Sequence, residues 1–571
     1  MYILGLNFVY HELSAVLLRD GQIIAAVEEE RFSRVKHGKA ALIDNPDVLP
    51  VQAISYCLTK AGITLSEVDY IGISFDPKER LRNIGLDRWF EPDDWGSKAG
   101  EDLFYAKLQS IPQKLNELAG VELSKKIRWI PHHLCHAASA YLVSPYEDAA
   151  ILSLDGIGEI TSTWMGKGIG NQLECVKEIA YPNSLGFLWE KLSKFLGFSE
   201  YDAAKVMGLA AFGDWRDYYP QFQRLVILSE DGDYKVDNDI LRFRSNNYEK
   251  LEKLFGVRRL ENSSGRTQDH ENIAAALQKI TDDAVMHMAR YITITTRSKN
   301  LCLAGGVALN CTTNRRIMES GLFENIYVQP AANDAGTALG AAYYIWNCIL
   351  GKEKRFVMDS AYLGPEYSNS EIRKALSGLT YKKVNDIEKQ TAKLLAEGNI
   401  IGWFQGSMEW GPRALGNRSL LADPRDIRMK HVLNDRIKKR ESFRPFAPSV
   451  LKEEVGAWFE ISEGCESVSA EFMEISFRVK HGRETEIPAV THIDNTSRIQ
   501  LVNKKTNPRC HRLISEFAKL TGVPMVLNTS FNDNEPIVCT PSDAVATFTR
   551  TKMDYLVIGN YLVSKGNNVN S

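Results

Sequence analysis

The sequence has almost no net charge, no long apolar run and only a few scattered cysteines. Its 571 residues carry 69 basic and 72 acidic side chains, for a formal net charge of −3, which argues against a general nucleic-acid or membrane-surface binder. No stretch has the length of a charge-free membrane span, and the first residues lack the basic and apolar segments of a signal peptide. We therefore expect a cytoplasmic protein.

The cysteine pattern points the same way. There are nine cysteines, an odd number, and none forms a C-x-x-C pair. This excludes a disulfide framework and a zinc ribbon and fits a reducing compartment. The length allows two to four domains, each with a full core.

The most informative stretch is 132–140, HHLCHAASA. His132 and His136 are four residues apart in a segment that favours helix, so both imidazoles would lie on one face and could hold one metal ion. Asp155 ends an apolar run and Asp334 lies in Asn-Asp-Ala-Gly. Two His and two Asp would make a mixed N/O site that suits iron, manganese or zinc. A pair of structural histidines in a helix is the alternative.

The beginning of the chain resembles a later stretch. A strand at 2–7 leads into a hairpin around Asp20-Gly21, and near residue 148 a strand at 149–154 is followed by an extended run at 161–165 and a predicted turn at 166–168. Such a repeat is typical of a duplicated phosphate-binding fold, although hairpins of this kind are common in α/β proteins.

Two glycine-containing segments are candidates for nucleotide contact. The segment with Lys205 and Gly208 could bring backbone and a positive charge to a ligand, or could be a tightly packed turn. Gly305 and Gly306 follow a predicted strand and precede Asn310, an arrangement that lets backbone N–H groups approach a nucleotide.

Residues 351–368 read as a linker, and the remainder from about 370 reads as a separate α/β domain. That domain collects cationic and small polar side chains among turn residues, which favours a pocket for a small phosphate or carboxylate-like anion over a solvated basic face. The candidates are Arg413, Lys438, Arg444, Arg498, Asn528 and Ser530.

With these motifs the chain resembles the family of nodulation and antibiotic O-carbamoyltransferases, which includes the tobramycin O-carbamoyltransferase. The resemblance covers nearly the whole chain. Eight motifs match in order: EEERF with KHG (28–38), HHLCHAASA (132–140), LDG (154–156), MGLAA (207–211), GGVALN (305–310), GPRALG (411–416), RPFAPS (444–449) and LNTSFN (527–532).

The resemblance implies an α/β protein of two domains. Residues 1–355 would form an actin/Hsp70/sugar-kinase-like (Kae1-like) domain, a duplicated ribonuclease-H-type fold that binds metal and nucleotide and transfers the carbamoyl group. Residues 366–571 would form a YrdC-like α/β domain that binds carbamoyl phosphate and makes carbamoyl-adenylate. Taken alone, the charged stretch 28–38 would be read as a solvated edge.

The resemblance also implies roles for single residues. Metal ligands would be His132, His136, Asp155 and Asp334, usually with iron. Lys36 would contact the adenylate and act in catalysis. Nucleotide contacts would come from Lys36, Asp155, Lys205, Gly208, Gly305, Gly306, Asn310 and Asn528, and carbamoyl-phosphate contacts from Arg413, Lys438, Arg444, Arg498 and Ser530.

His11 occupies the position that faces the acceptor in the family. An imidazole can take the proton of an attacking hydroxyl near neutral pH; a structural loop histidine is the alternative. The family usually reads His-Asp-Ala-Ser-Ala, whereas this chain has His-Glu-Leu-Ser-Ala at 11–15. The longer acid and the leucine are therefore expected to reshape the acceptor pocket.

We thus predict an ATP-dependent O-carbamoyltransferase that takes carbamoyl phosphate and a hydroxylated acceptor, with a divalent metal, Fe²⁺ by resemblance, and no nucleic-acid or membrane partner. Mg²⁺ with the ATP and a homodimer are compatible with the sequence but not required by it. The rivals are a tRNA threonylcarbamoyl-type transferase, which should show a basic face, and a non-catalytic actin/Hsp70-like clamp, which would need neither the histidine pair nor the arginine cluster.

Overall fold

The computed structural model describes residues 1–82, 87–353, 356–461 and 468–565. They divide into two compact units, and each unit combines helices with its own β-sheet. The first unit comprises Met1–Glu29 and His37–Met358, and the second comprises Glu30–Lys36 and Asp359–Ser571.

The first unit contains two five-stranded sheets with the same topology. In the first sheet the central strand pairs antiparallel with the nearer strand of a hairpin on one side. On its other side it pairs with a parallel strand, which in turn pairs with a second parallel strand. Its strands, in spatial order, are Gln22–Glu28, Ser14–Arg19, Tyr2–Asn7, Tyr70–Ile73 and Ile127–Trp129.

The second sheet repeats this order and these directions. Its strands are Gln172–Ala180, Thr161–Ile169, Asp148–Leu154, Asn300–Ala304 and Asn325–Val328. Two α/β layers with one topology confirm the predicted duplication. A separate ribbon pairs Val226–Leu228 with Tyr234–Val236.

The predicted turn at 166–168 is wrong, because the strand Thr161–Ile169 runs through it. A Cβ on Gly166 would overlap the Trp164 ring, and one on Gly168 would overlap the Tyr141 ring. These glycines therefore make room for buried aromatic rings. The chain turns afterwards, at Gly170, which has a left-handed φ of 56°.

Helices cover the sheets of the first unit, and the segment with Lys205 and Gly208 is one of them rather than an open glycine loop. The region 240–270 contains the helix Glu249–Phe255. The helices are Val51–Ala61, Pro77–Arg82, Lys98–Gln109, Ile111–Ala119, His132–Tyr141, Leu185–Phe195, Ala203–Ala210, Tyr219–Leu225, Asn238–Leu241, Glu249–Phe255, Gln268–Thr296, Cys311–Glu319 and Ala335–Tyr343.

Two almost wholly buried helices, His132–Tyr141 and Ala335–Tyr343, pack unusually closely. A Cβ on Gly340 would overlap the carbonyl of Cys135, and a Cβ on Gly5 would overlap the carbonyl of Ala338. Only glycine permits this approach of backbone to backbone. Close packing thus brings the start of the histidine helix near the start of the helix that follows Asp334.

The second unit is built on an eight-stranded mixed sheet, with helices packed on it. The strands, in spatial order, are Tyr381–Lys383, Tyr561–Ser564, Tyr555–Ile558, Ile401–Phe404, Arg418–Ala422, Met525–Ser530, Ala447–Leu451 and Gln500–Val502. A small ribbon pairs Phe477–Arg478 with Thr496–Ser497. Its helices are Glu30–Ser33, Asn369–Ala375, Ile387–Ala396, Arg428–Leu433, Val468–Glu471, Pro508–Thr521 and Pro541–Arg550.

Residues 30–36 belong to the second unit although their neighbours on both sides belong to the first. Arg31 donates to the carbonyl of Gly411 at 3.0 Å. Arg34 donates to the carbonyls of Ile537 at 2.8 Å and Pro536 at 2.6 Å. Guanidinium groups bound to backbone carbonyls hold this short helix in place.

Candidate metal centre and anion pocket

One strand end and two helix starts in the first unit bring four predicted ligands together. His132 and His136 lie one turn apart at the start of their helix, 1% and 0% exposed. Asp155 directly follows the strand Asp148–Leu154, and Asp334 directly precedes the helix Ala335–Tyr343. One atom from each side chain lies within 4.8 Å of the corresponding atom of the others. We call these four residues the His/Asp quartet.

The distances in the quartet leave space for a cation. Nε2 of His132 lies 3.6 Å from Asp155 Oδ2 and 3.5 Å from Asp334 Oδ1. Nε2 of His136 lies 3.8 Å and 3.6 Å from the same two oxygens. These separations are too long for hydrogen bonds. Ligands bound at about 2.1 Å to one ion lie about 3.0–3.4 Å apart, so a small contraction would complete a site.

The imidazoles are arranged as metal ligands would be. Nε2 of both histidines is buried and has no hydrogen-bond partner in the described part of the chain, which is costly for a polar atom unless something else satisfies it. Nδ1 of His132 lies 3.2 Å from the carbonyl of Ser74. This contact holds a proton on Nδ1 and leaves the Nε2 lone pair directed at the quartet.

The electrostatics of the quartet also require positive charge. Burial opposes ionisation, but the carboxylates of Asp334 and Asp155 hold the pKa of His132 well above its usual value. Burial and Asp155 would each raise the pKa of Asp334, yet His132 and His11 hold it below its usual range. Two buried carboxylates are thus stabilised by a neighbouring cation. The quartet could hold a metal ion, and its donor set fits a borderline divalent one.

The third histidine of the helix does not join the quartet. Nδ1 of His133 pairs with the hydroxyl of Ser153 at 2.9 Å. Burial, with the charges of His132 and His136, lowers the pKa of His133 to about 3. His133 therefore stays neutral and supports the strand behind the site.

The loop after the first strand carries the predicted proton acceptor. Asn7 Nδ2 donates to the carbonyls of His11 and Glu12, at 2.9 Å each, and so fixes the loop. Nδ1 of His11 is buried and has no hydrogen-bond partner among the described residues. Beside it, Glu12 Oε1 and His37 Nδ1 are 2.7 Å apart. The ring of Tyr201 packs against both His11 and His37.

The Gly-Gly segment contacts the quartet directly. The N–H of Gly306 donates to Asp155 Oδ1 at 2.8 Å. Gly305 has φ +87°, and a Cβ there would overlap the backbone of Leu154. The side chain of Asn310 is engaged within the protein, because it donates to Gln278 Oε1 at 2.9 Å and caps the next helix.

Lys205 and Gly208 lie on one helix, and Lys205 pairs with Asp202 at 3.0 Å.

The sequence reasoning missed one acidic side chain near the His/Asp quartet. The carboxyl of Glu190 lies 3.6 Å from the position of a Cβ on Gly156, and burial raises the pKa of Glu190 to about 8. Glu190 lies inside an amphipathic helix without a motif, so no sequence signal marked it.

The second unit places the predicted anion-binding residues in a cationic cluster. Lys438 is buried and donates to the carbonyl of Ser530, to its hydroxyl at 3.1 Å and to Asn532 Oδ1 at 2.6 Å. Burial, with the charges of Arg440 and Arg444, holds the pKa of Lys438 well below its usual value. The cation of Lys36 adds to this effect, so Lys36 lies near Lys438 within the second unit.

Acidic side chains among the described residues lie beside two of these arginines. Arg413 pairs with Glu474 at 3.4 Å and Arg444 with Glu441 at 3.9 Å. Burial raises the pKa of Glu474 to about 7, although Arg413 and Arg498 oppose the shift. Arg440, which the sequence reasoning did not single out, has its pKa lowered to about 9 by burial and by Arg444. A surplus of buried cations is the electrostatic signature of an anion site.

Asn528 is held by three contacts in the same unit. Its Nδ2 donates to Ser449 Oγ at 2.8 Å, to Gln500 Oε1 at 3.1 Å and to the carbonyl of Ala414 at 3.1 Å. Its Oδ1 is buried and has no hydrogen-bond partner among the residues described. That oxygen is an acceptor left for a ligand donor.

Comparison with known proteins places this α/β chain among enzymes that transfer carbamoyl groups. The profile described as "Carbamoyltransferase N-terminus" matches residues 2–343, and that described as "Carbamoyltransferase C-terminus" matches residues 392–565. The chain belongs to the carbamoyltransferase family, as the motifs indicated. In the described residues no helix has the length and apolar character needed to cross a membrane.

Individual relatives agree with this assignment. The chain is 38% identical over 566 residues to the nodulation protein NolNO of Sinorhizobium fredii, covering 98% of this chain and 80% of that protein. It is 31% identical over 372 residues to the 3'-hydroxymethylcephem-O-carbamoyltransferase of Streptomyces clavuligerus, covering 63% and 64%. A solved structure of full-length HypF in the phosphate- and nucleotide-bound form aligns at 15% identity and a TM-score of 0.33, over 61% of this chain and 55% of that one.

Proposed function

We propose that this protein is an ATP-dependent O-carbamoyltransferase that makes carbamoyl-adenylate from carbamoyl phosphate and passes the carbamoyl group to an acceptor hydroxyl. Membership of the family supports carbamoyl transfer, and the name of the cephem relative supports oxygen as the accepting atom. The observation that carries the proposal is the His/Asp quartet, with two buried imidazole nitrogens that lack partners in the described chain.

His132, His136, Asp155 and Asp334 would hold a divalent metal, which we take to be Fe²⁺ from the resemblance. When bound, such an ion supplies positive charge next to the phosphate of an adenylate as that phosphate leaves. The backbone N–H groups near Gly305 and Gly306 lie beside Asp155 and are suited to binding the nucleotide.

The second unit would bind carbamoyl phosphate and activate it with ATP. Its buried cluster around Lys438, with Arg444, Arg498 and Arg413, provides planar guanidinium donors and charge for phosphate oxygens. Lys36, at the end of the segment Glu30–Lys36 that belongs to this unit, would add a further positive charge to the pocket. Ser530 lies against Lys438, 3.1 Å from its Nζ.

His11 would take the proton from the acceptor hydroxyl. Its Nδ1 is buried and without a hydrogen-bond partner among the described residues, and its loop is fixed by Asn7. An imidazole whose proton state changes near neutral pH is suited to this step.

The test separates the two half-reactions. We expect Arg444→Ala to abolish carbamoyl-adenylate formation from carbamoyl phosphate and ATP, because it removes a donor from the anion cluster. We expect His11→Ala to keep adenylate formation and to stop transfer to hydroxylated acceptors. Chromatography of the nucleotides follows the first step, and radiolabelled carbamoyl phosphate with mass detection of product follows the second.

Matched controls come from the same chain. Arg436, eight residues before Arg444 in the sequence, is exposed, and His481 is fully exposed. Replacing either with alanine should leave both adenylate formation and carbamoyl transfer intact. If Arg444→Ala and His11→Ala lose adenylate formation equally, the assignment of roles to the two units is wrong.

A further inference from the structure

Two polar segments of the first unit, 87–96 and 238–247, pack against each other and have no part in the reaction described so far. Phe90 and Arg244 form a parallel β-bridge. Trp89 Nε1 donates to Asp239 Oδ1 at 2.8 Å, and the N–H of Asn246 donates to Glu91 Oε1 at 2.8 Å. The contacts join the two segments into one wall.

A buried lysine fixes the second segment to the helix Leu185–Phe195. Lys191 Nζ donates to the carbonyls of Arg242 at 3.1 Å, Ser245 at 2.6 Å and Asn247 at 3.2 Å. An ammonium group bound to three backbone carbonyls determines the loop conformation between them. The residue in the middle of this loop is Arg244.

The guanidinium of Arg244 lies among aromatic rings. Its Cζ is 4.6 Å from the ring centroid of Phe187 and 5.3 Å from those of Trp95 and Tyr181. Arg244 forms no close ion pair with any acidic residue that the structure describes, but its charge acts on the buried carboxyl of Glu190, whose pKa it lowers against the effect of burial. Aromatic faces stabilise a guanidinium but leave its N–H donors in the ring plane free to bind oxygen atoms.

Arg244 lies near the His/Asp quartet. The ring of Phe187, over which it is placed, comes within 3.6 Å of a Cβ position on Gly156, the residue after Asp155. The charge of Arg244 also acts on Tyr10, whose ring lies 6.3 Å from that of His132.

We propose that Arg244 selects the acceptor, and that the acceptor is a hydroxylated compound bearing a carboxylate. A planar guanidinium without a close ion pair can bind a carboxylate with two parallel hydrogen bonds. The surrounding aromatic rings supply flat surfaces for the framework that carries the hydroxyls. This inference deepens the proposed function and rests on it for the transfer step.

The test compares D-glucuronate with D-glucuronamide, which have the same hydroxyls and differ in the charged group. Calorimetric titration of the full chain should show wild type binding glucuronate at least about tenfold more tightly than the amide, because a hydrogen-bonded charge pair is worth that much. Arg244→Gln should lose this preference. Arg242→Gln, on the same loop but stacked over Trp89 at 4.1 Å, should keep it.

Equal binding of the two probes by wild type, no measurable binding of glucuronate, or an unchanged preference in Arg244→Gln would each overturn the proposal. Circular dichroism of the variants shows whether they fold. Carbamoyl-adenylate formation, measured without acceptor, should be unchanged in Arg244→Gln. If wild type makes no adenylate, the proposed function fails, whereas the binding preference can still be read.

Discussion

Replacing Asp334 by Asn tests the metal site with little change of shape. Asp334 is 3% exposed, and Oδ1 faces Nε2 of both histidines at 3.5 Å and 3.6 Å. The amide has nearly the same volume, so packing is kept, but one anionic ligand is lost. We expect the affinity for Fe²⁺ or Zn²⁺ to fall by at least about a hundredfold, since changes merely beside a ligand already cost 10–100-fold.

The effect can be read as ligand-dependent stability. At a free metal concentration of about 100 times the wild-type Kd, binding stabilises the folded state by about 2.7 kcal/mol, and a hundredfold weaker site retains only about 0.4 kcal/mol. Thermal unfolding with and without metal should therefore show a rise of a few degrees for wild type and almost none for Asp334→Asn. Elemental analysis of the purified proteins gives an independent measure.

The control lies on the helix His132–Tyr141, which carries the two histidine ligands. His133 is buried beside the quartet but bonds Ser153 instead, so His133→Gln should keep the metal-dependent rise even if its overall stability is lower. Equal metal content and an equal rise in wild type and Asp334→Asn would refute the assignment of Asp334 as a ligand. Equal loss in Asp334→Asn and His133→Gln would mean that the helix, not a ligand set, had been disturbed.

Three further changes have defined outcomes. Gly305→Ala should destabilise the first unit by about 2 kcal/mol or more in denaturant titration, because φ is +87° and the Cβ would meet Leu154; Gly321→Ala, with nothing within 4 Å, shows the cost of a positive φ alone. Arg34→Ala should destabilise the second unit by about 2–3 kcal/mol, since it leaves two carbonyls without this donor and removes one of the cations that bind Glu535, whereas exposed Arg216→Ala should change little. Burial raises the pKa of Glu190 from its ordinary 4.5 to about 8, so the folded wild type loses stability relative to the unfolded chain as the pH rises through that interval. The free energy of unfolding of Glu190→Gln should therefore rise relative to that of wild type by about 1 kcal/mol or more over the same interval. A constant difference between pH 5 and pH 8.5 would contradict this.

The repeat and the quartet could be predicted because their signals are local. Each sheet begins with a strand and a hairpin, and a polar residue after a strand end marks the edge where loops meet. The wrong prediction of a turn at 166–168 shows the limit of such signals. A glycine that is needed for a turn cannot be distinguished in the sequence from one that makes room for an aromatic ring. The rings concerned, Trp164 and Tyr141, belong to different elements.

That residues 30–36 belong to the second unit could not be predicted, for a different reason. Arg31 and Arg34 bind backbone carbonyls of residues that lie 380 and 503 positions later in the chain. Every residue has a backbone carbonyl, so the sequence does not show which one a distant arginine binds. The stretch looked like a solvated charged edge because the sequence does not show which distant groups its arginines bind. Arg244 was missed similarly, since it is surrounded by three aromatic rings from two segments distant from it in the chain.

The two units have opposite electrostatic requirements, and this difference supports a division of labour. In the first unit neighbouring histidines lower the pKa values of two buried carboxylates. In the second unit burial lowers the pKa values of Lys438 and Arg440, and neighbouring positive charges lower them further. We therefore propose that an anion such as carbamoyl phosphate binds directly to the second unit. The first unit can bind a phosphate at the quartet only after a cation has neutralised its carboxylates, so metal removal should impair transfer and spare activation.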